Sequence, residues 1–183
     1  MTMKMALTIL VLFSLIGGCA TWSPVDGRLN SEGYVVDIPP GWMKFDSGGT
    51  VMISRDGPYL QYVLLQERPL DQPFHHTRKR LTAQMLPQEA AQVIIDDLSS
   101  DMAVKNLSVL ENTPAIIDGH DGFMLHYSYR NQQGLLLKTA YYGFIHDRIY
   151  YSLRFTAPQR HYFEKDIRTF ESILSNFHLV AAR

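Results

Sequence analysis

The stretch that decides the fold runs from Phe123-Met-Leu-His-Tyr127-Ser-Tyr129-Arg130 through Asn131-Gln-Gln-Gly134 and Leu135 to Ile145. It continues through His146-Asp147-Arg148 to Ile149-Tyr-Tyr151-Ser-Leu153-Arg-Phe155. Phe123, Leu125, Tyr127 and Tyr129 fall on every second residue, with Met124, His126, Ser128 and Arg130 between them. A period of two puts each set on one face of a strand. Asn131 to Gly134 and His146 to Arg148 carry turn residues. Ile149, Tyr151, Leu153 and Phe155 then repeat the alternation, with Tyr150, Ser152 and Arg154 opposite. Three sequential strands joined by short turns make an antiparallel meander.

Outward from the meander, the elements alternate in type. Tyr34 to Ile38 reads as a strand that stops at Pro39-Pro40-Gly41, and Trp42 to Phe45 and Val51 to Arg55 read as short strands around Ser47-Gly48-Gly49. Tyr59 to Glu67 predicts a longer strand, and Pro69 to Arg80 an irregular polar segment. Pro87 suits the first turn of a helix, and Ala90, Val93, Ile94, Asp97 and Leu98 follow with helical spacing. Leu107 to Glu111 and Ala115 to Ile117 predict two short strands. After Pro158, a last helix is expected from about Arg160 to Ser175, with Phe163, Ile167, Phe170 and Ile173 or Leu174 on its apolar stripe. The fold class is α+β: an antiparallel sheet flanked by helices.

The N-terminus is of another kind. Lys4 precedes an apolar run from Met5 to Ile16, which as a helix would rise about 18 Å, too little to cross a hydrocarbon core of about 30 Å. A signal peptide is the matching class. Ile16-Gly17-Gly18-Cys19 resembles the bacterial lipobox, in which an aliphatic and two small residues precede a lipidated cysteine. That resemblance implies acylation of Cys19, cleavage before it, and a stable anchor once two or more chains are attached. Ala20, rather than Asp, in second place implies sorting to the outer membrane with the domain facing the periplasm. The expected organisation is a signal over 1–18, a lipidated Cys19 with a flexible tether to 32, and one globular domain over 33–179.

Tyr34-Val-Val-Asp-Ile-Pro-Pro-Gly-Trp42, the mid-chain helix, the tyrosine-rich meander and the closing Tyr162-Phe163…Phe170…Ile173…Phe177 together resemble the PsbP-like α/β/α sandwich, particularly its small bacterial lipoproteins. The resemblance spans roughly residues 33–179 and rests on core and turn positions. It implies a protein that binds partners or helps assemble membrane complexes. No shared catalytic site carries over to any residue of this chain.

Composition narrows the function further. The chain has 183 residues, 17 basic and 18 acidic side chains, and one cysteine. Near-neutral charge argues against a nucleic-acid binder, and a lone cysteine excludes a disulfide framework or a cysteine-rich zinc module. No phosphate-binding glycine loop, zinc-protease helix or nucleophile elbow is present, and no cofactor is implied. Asp118-Gly-His120-Asp121-Gly122 sets oxygen and nitrogen ligands close together, which suits either a divalent metal and an enzyme built on it or an ordinary turn. His126 shares the face of His120 but sits about 20 Å along an extended strand. Arg78, Lys79 and Arg80 form the one basic cluster, a candidate contact for headgroups or an acidic partner. Seven of the ten tyrosines lie between Tyr127 and Tyr162, which makes the meander the place to seek a partner surface. Tyr142 and Tyr150, placed on the more polar side with Lys138 and Arg154, are the candidates. The expected partners are a membrane, through the lipid, and an envelope protein.

Overall fold

The computed structural model describes residues 21–180. In chain order these form β1 (Ser23–Pro24), β2 (Arg28–Asn30), β3 (Tyr34–Asp37), β4 (Met43–Ser47), β5 (Thr50–Ser54) and β6 (Tyr62–Pro69). Then come α1 (Pro87–Ser99), β7 (Lys105–Ile117), β8 (His120–Arg130), β9 (Leu136–His146), β10 (Ile149–Pro158), α2 (Tyr162–Ser175) and β11 (His178–Leu179). The meander is β8-β9-β10, paired antiparallel as its alternation requires. Asp147 and Arg148, with φ of 46° and 63°, make the two-residue turn between β9 and β10, whose positive-φ backbone matches the right-handed twist of the strands it joins.

One antiparallel sheet carries eight strands in the order β1-β4-β5-β6-β10-β9-β8-β7. A small sheet, β11-β3-β2, lies beside it. Alternate residues of β10 enter different cores, which shows that the large sheet is covered on both faces. Leu153 and Phe155 pack with Phe163, Phe170 and Ile173 of α2 and with the small sheet. Tyr150 packs instead with Ala90, Ala91, Val93 and Ile94 of α1. The α+β architecture with helices on both sides of the sheet is therefore as expected.

Two boundaries and one face assignment differ from the sequence reading. Leu107 to Glu111 and Ala115 to Ile117 belong to one strand, β7, interrupted by register shifts between Lys105 and Ser108 and between Val109 and Glu111. Pro114 falls within this strand, which is tolerated because β7 is an edge strand, where proline's missing N–H can face away from the ladder. The expected flexible tether does not extend to residue 32. Val25 and Leu29 are buried, and β1 and β2 pair with β4 and β3, so the packed domain already includes residues 23–30. Polar composition concealed this because two apolar side chains suffice when partner strands supply the rest of the core. The tyrosines of the meander, finally, do not share a polar side. Arg154 lies opposite Tyr141, and Leu153 opposite Tyr142. Residues directly opposite share a face, so Tyr142 and Lys138 face α2, whereas Tyr150 and Arg154 face α1.

Candidate functional site

The signal and lipobox residues Ile16, Gly17, Gly18 and Cys19 lie outside the described residues. The other candidates can be placed. Tyr150 is not part of an exposed surface: it is 1% accessible, and its hydroxyl lies 2.8 Å from that of Tyr141. Tyr142 is half-buried with its ring 6.0 Å from Phe170. Lys138 sits over the Phe163 ring at 4.4 Å and 3.6 Å from Glu164. Both therefore fasten α2 to the sheet. Alternation cannot separate wet from dry when helices cover both faces.

The basic cluster is partly neutralised. Lys79 pairs with Asp96 of α1, and Asp97 Oδ1 accepts the backbone N–H groups of His76 and Thr77, each at 2.9 Å. This docks the 70–80 loop against α1 and leaves Arg78 and Arg80 at the surface. Asp118 and Gly119, at φ 48° and 78°, form the hairpin turn between β7 and β8. Asp118 is already occupied, with Oδ1 2.9 Å from His178 Nδ1 and Oδ2 accepting the Leu179 N–H at 2.7 Å. His120 packs on Phe144 and His146, His126 lies beside Glu111, and Asp121 alternates to the opposite face from His120. Among the described residues no three His, Cys, Asp or Glu side chains converge to hold a metal. Asp118 and Gly119 thus serve as turn residues, and Asp118, His120 and Asp121 do not converge on one point.

These pairings make acid destabilising. Lys165 hydrogen-bonded to Asp56, and Lys79 to Asp96, hold those carboxyls below the ordinary range. Burial raises Asp118, but the His178 and Leu179 hydrogen bonds outweigh it, so its pKa is also lowered. Burial lowers His126. A pKa depressed on folding contributes stability above the unfolded value and loses it as pH falls through the folded one. Stability should therefore begin to fall below about pH 6.5, as His126 of the unfolded chain protonates, and fall faster below about pH 4, where the aspartates do. Urea midpoints from pH 7 to 3 check this; a midpoint that rises toward acid would contradict it.

The structure brings one predicted residue, Arg154, into a site. Arg154 stands near the middle of the large sheet, on the α1 face. A cleft of about 310 Å³ opens there, lined by Tyr62, Tyr127, Tyr129, Leu98, Val104, Asp101 and the Asn131–Gln133 turn. Cross-strand register explains the grouping. Tyr62 of β6 pairs with Thr156 of β10, Thr156 with Thr139 of β9, and Thr139 with Tyr127 of β8. One row thus holds two tyrosines around a buried Thr139–Thr156 hydrogen bond of 3.0 Å, with Arg154 in the adjacent row.

No ion pair of the described residues includes Arg154. Burial works against its charge, but Tyr62, Tyr127, Tyr141 and Tyr129 outweigh it, and the guanidinium pKa lies above the ordinary arginine value. Burial pushes the Tyr127 phenol up to about 12 and raises Tyr129 further with help from Tyr62. The cleft at neutral pH therefore holds one fixed cation and several protonated phenols. A larger cavity, about 600 Å³, lies near Glu32, Asp46 and Glu67. Glu67 there accepts a hydrogen bond from Ser31 Oγ, so its charge is already engaged.

The sequence matches no protein-family model and no curated protein. Solved structures do resemble it. The cyanobacterial PsbP of Synechocystis sp. PCC 6803 superposes with a TM-score of 0.59 at 16% identity, over 89% of this chain and 95% of that one. The fold is PsbP-like. The Ran-binding protein Mog1p of Saccharomyces cerevisiae gives 0.56 at 10% identity, over 90% and 97% of the two chains. LpqN of Mycobacterium tuberculosis, described as involved in cell envelope biogenesis, gives 0.53 at 13% identity, over 87% and 91%. At such identities the likeness establishes architecture, and function has to come from the site. Tyr62, Tyr127, Tyr129, Asp101 and Asn131 were missed as site residues. Their only signal was the density of tyrosine, which carries no register.

Proposed function

We propose that this PsbP-like domain is a binding module of the bacterial envelope, held to the outer membrane by lipid on Cys19 and facing the periplasm. It recognises an envelope partner through the Arg154 cleft and performs no chemistry on it. The observation that carries this is the state of the cleft's titratable groups. General acid–base catalysis favours groups with pKa values near the working pH. Burial moves the Tyr127 and Tyr129 phenols, and the surrounding tyrosines move the guanidinium against its own burial, the other way, away from neutrality. Such groups donate hydrogen bonds and charge without exchanging protons. The part LpqN plays in envelope biogenesis is a precedent for this fold in that compartment.

The ordered start of the domain bears on how it would sit. Cys19 precedes Trp22 by three residues, a reach of at most about 10 Å. Trp22 is 37% exposed and Tyr59, on the neighbouring turn, 93%. Under this reading the β1 edge lies against the bilayer, with two aromatics of the kind that favour its interface.

Two measurements test the proposal. Cys19→Ala should abolish incorporation of labelled fatty acid and release the protein from the membrane fraction. A photo-crosslinker at Gln133, on the cleft rim, should capture an envelope protein in intact cells, and one at Glu164, on α2 across the sheet, should not. Retained labelling would overturn the anchor, and equal capture at both positions would overturn the cleft.

A further inference from the structure

The chemistry of the cleft specifies its ligand more closely. We propose that it receives a single carboxylate borne on an apolar or aromatic body. This rests on the reading of the cleft as a recognition site. Arg154 supplies a planar fork of N–H donors, which matches the two oxygens of a carboxylate. Its charge is not spent on any ion pair within the described residues, and it is only partly exposed, so an entering anion meets it under weak solvent screening.

The surrounding groups add donors without adding charge. Tyr62 and Tyr129 line the cleft as phenols, and Tyr129 stays protonated well above neutral pH. Asn131 Oδ1 accepts the Leu135 N–H at 2.9 Å, which fixes that amide and leaves its NH₂ group to donate. Gln132 and Gln133 extend the rim.

Asp101 sets the limit on charge. Its Oδ1 accepts the Ala103 N–H at 2.8 Å, and its Oδ2 lies 3.5 Å from His76 Nε2. One cation facing one rim carboxylate suits a monoanion and penalises a doubly charged phosphate by like-charge repulsion. Leu98, Ala103, Val104 and the tyrosine rings provide an apolar wall for the rest of the ligand. The cleft volume, about 310 Å³, is at the small end of ligand sites, enough for one ring or one terminal residue. A carboxylate of this kind belongs either to the C-terminus of a polypeptide or to a small organic acid.

The test uses the whole protein, purified in mild detergent, with the backbone N–H resonance of Asn131, which lines the cleft in every variant, as readout. Benzoate should shift that resonance saturably; benzamide, of the same shape without charge, and inorganic phosphate should not. Arg154→Lys should weaken benzoate by about tenfold or more, since the charge remains and the fork is lost. Tyr129→Phe should weaken it severalfold with an unchanged circular dichroism spectrum and melting temperature, which guards against a folding defect. N-acetyl-Ala-Phe binding more tightly than benzoate, with its C-terminal amide inactive, would assign the group to a chain terminus; the reverse order would assign it to a free acid. Phosphate binding more tightly than benzoate, equal binding of benzamide, or an unaffected Arg154→Lys would overturn the proposal. Capture of a partner at Gln133 without carboxylate binding would overturn this ligand class alone and leave the recognition site standing.

Discussion

Phe155→Ala is expected to lower the free energy of unfolding by about 3–5 kcal/mol, read from urea unfolding monitored by circular dichroism. Phe155 is 0% accessible and sits between Val63 of β6 and Ala140 of β9. Its ring stacks on two residues of α2, with centroids 5.3 Å from Phe163 and 5.7 Å from Phe170. Truncation therefore removes the ring on which both Phe163 and Phe170 stack. The alanine at 140 has no reach to fill the void, so the lost transfer energy is joined by a cavity term. The control is Leu135→Ala, whose side chain is 44% exposed in a turn and should cost well under 1 kcal/mol. Equal effects from the two variants would show that α2 is not held by this stack.

Arg55→Ala should cost about 3 kcal/mol, and the loss should be largely reversed by adding Asp166→Leu. Asp166 lies in the second turn of α2 and is 1% accessible. Its Oδ1 accepts from the Arg55 guanidinium at 2.7 Å, and its Oδ2 has no partner among the described residues. Removing Arg55 strands a carboxylate in the core, and that desolvation is the main penalty. Arg55 is itself 33% exposed, so water screens the pair from one side and holds the effect at the lower end. Lys165 and Asp56 form a second bridge from the same helix to the same turn, at 2.6 Å. A double-mutant cycle between Arg55 and Asp166 measures the coupling directly. A double variant as unstable as Arg55→Ala alone would mean that the arginine acts by packing on Trp42, over whose ring it lies at 5.9 Å, and not by neutralising the acid.

This pair shows where reading residues along the chain stops. Arg55 and Asp166 are 111 positions apart, and neither taken alone points to the other. Asp166 even belongs, by spacing, to the buried stripe of α2 beside Phe163, Phe170 and Ile173, a place where a carboxylate reads as an error until its partner is known. The same limit applies to the cleft. Arg154 was legible as a polar residue in a strong strand, but Tyr62 reaches it only because β6 pairs with β10 rather than with β7, the strand that follows it after α1. Tyr142 and Tyr150 were misplaced together for a related reason: alternation within one strand is plain, whereas the phase between strands depends on turn length.

What residues in sequence determined was local. Alternation from Phe123 to Phe155 specified three strands, paired turn residues specified how they reverse, and the 3.6-residue stripes after Pro87 and in 162–175 specified helices that need a sheet on which to lie. The lipobox-like pattern from Ile16 to Cys19 is likewise local, and the lipid anchor is a proposal that rests on it. What only the tertiary structure decided was adjacency: which tyrosines surround Arg154, which acid meets Arg55, and how early the domain begins. The physical reason is that periodicity depends on a residue's nearest neighbours in the chain. Burial, register and unpaired charge depend on partners brought from far away, and these are settled only when the whole sheet closes between its two helices.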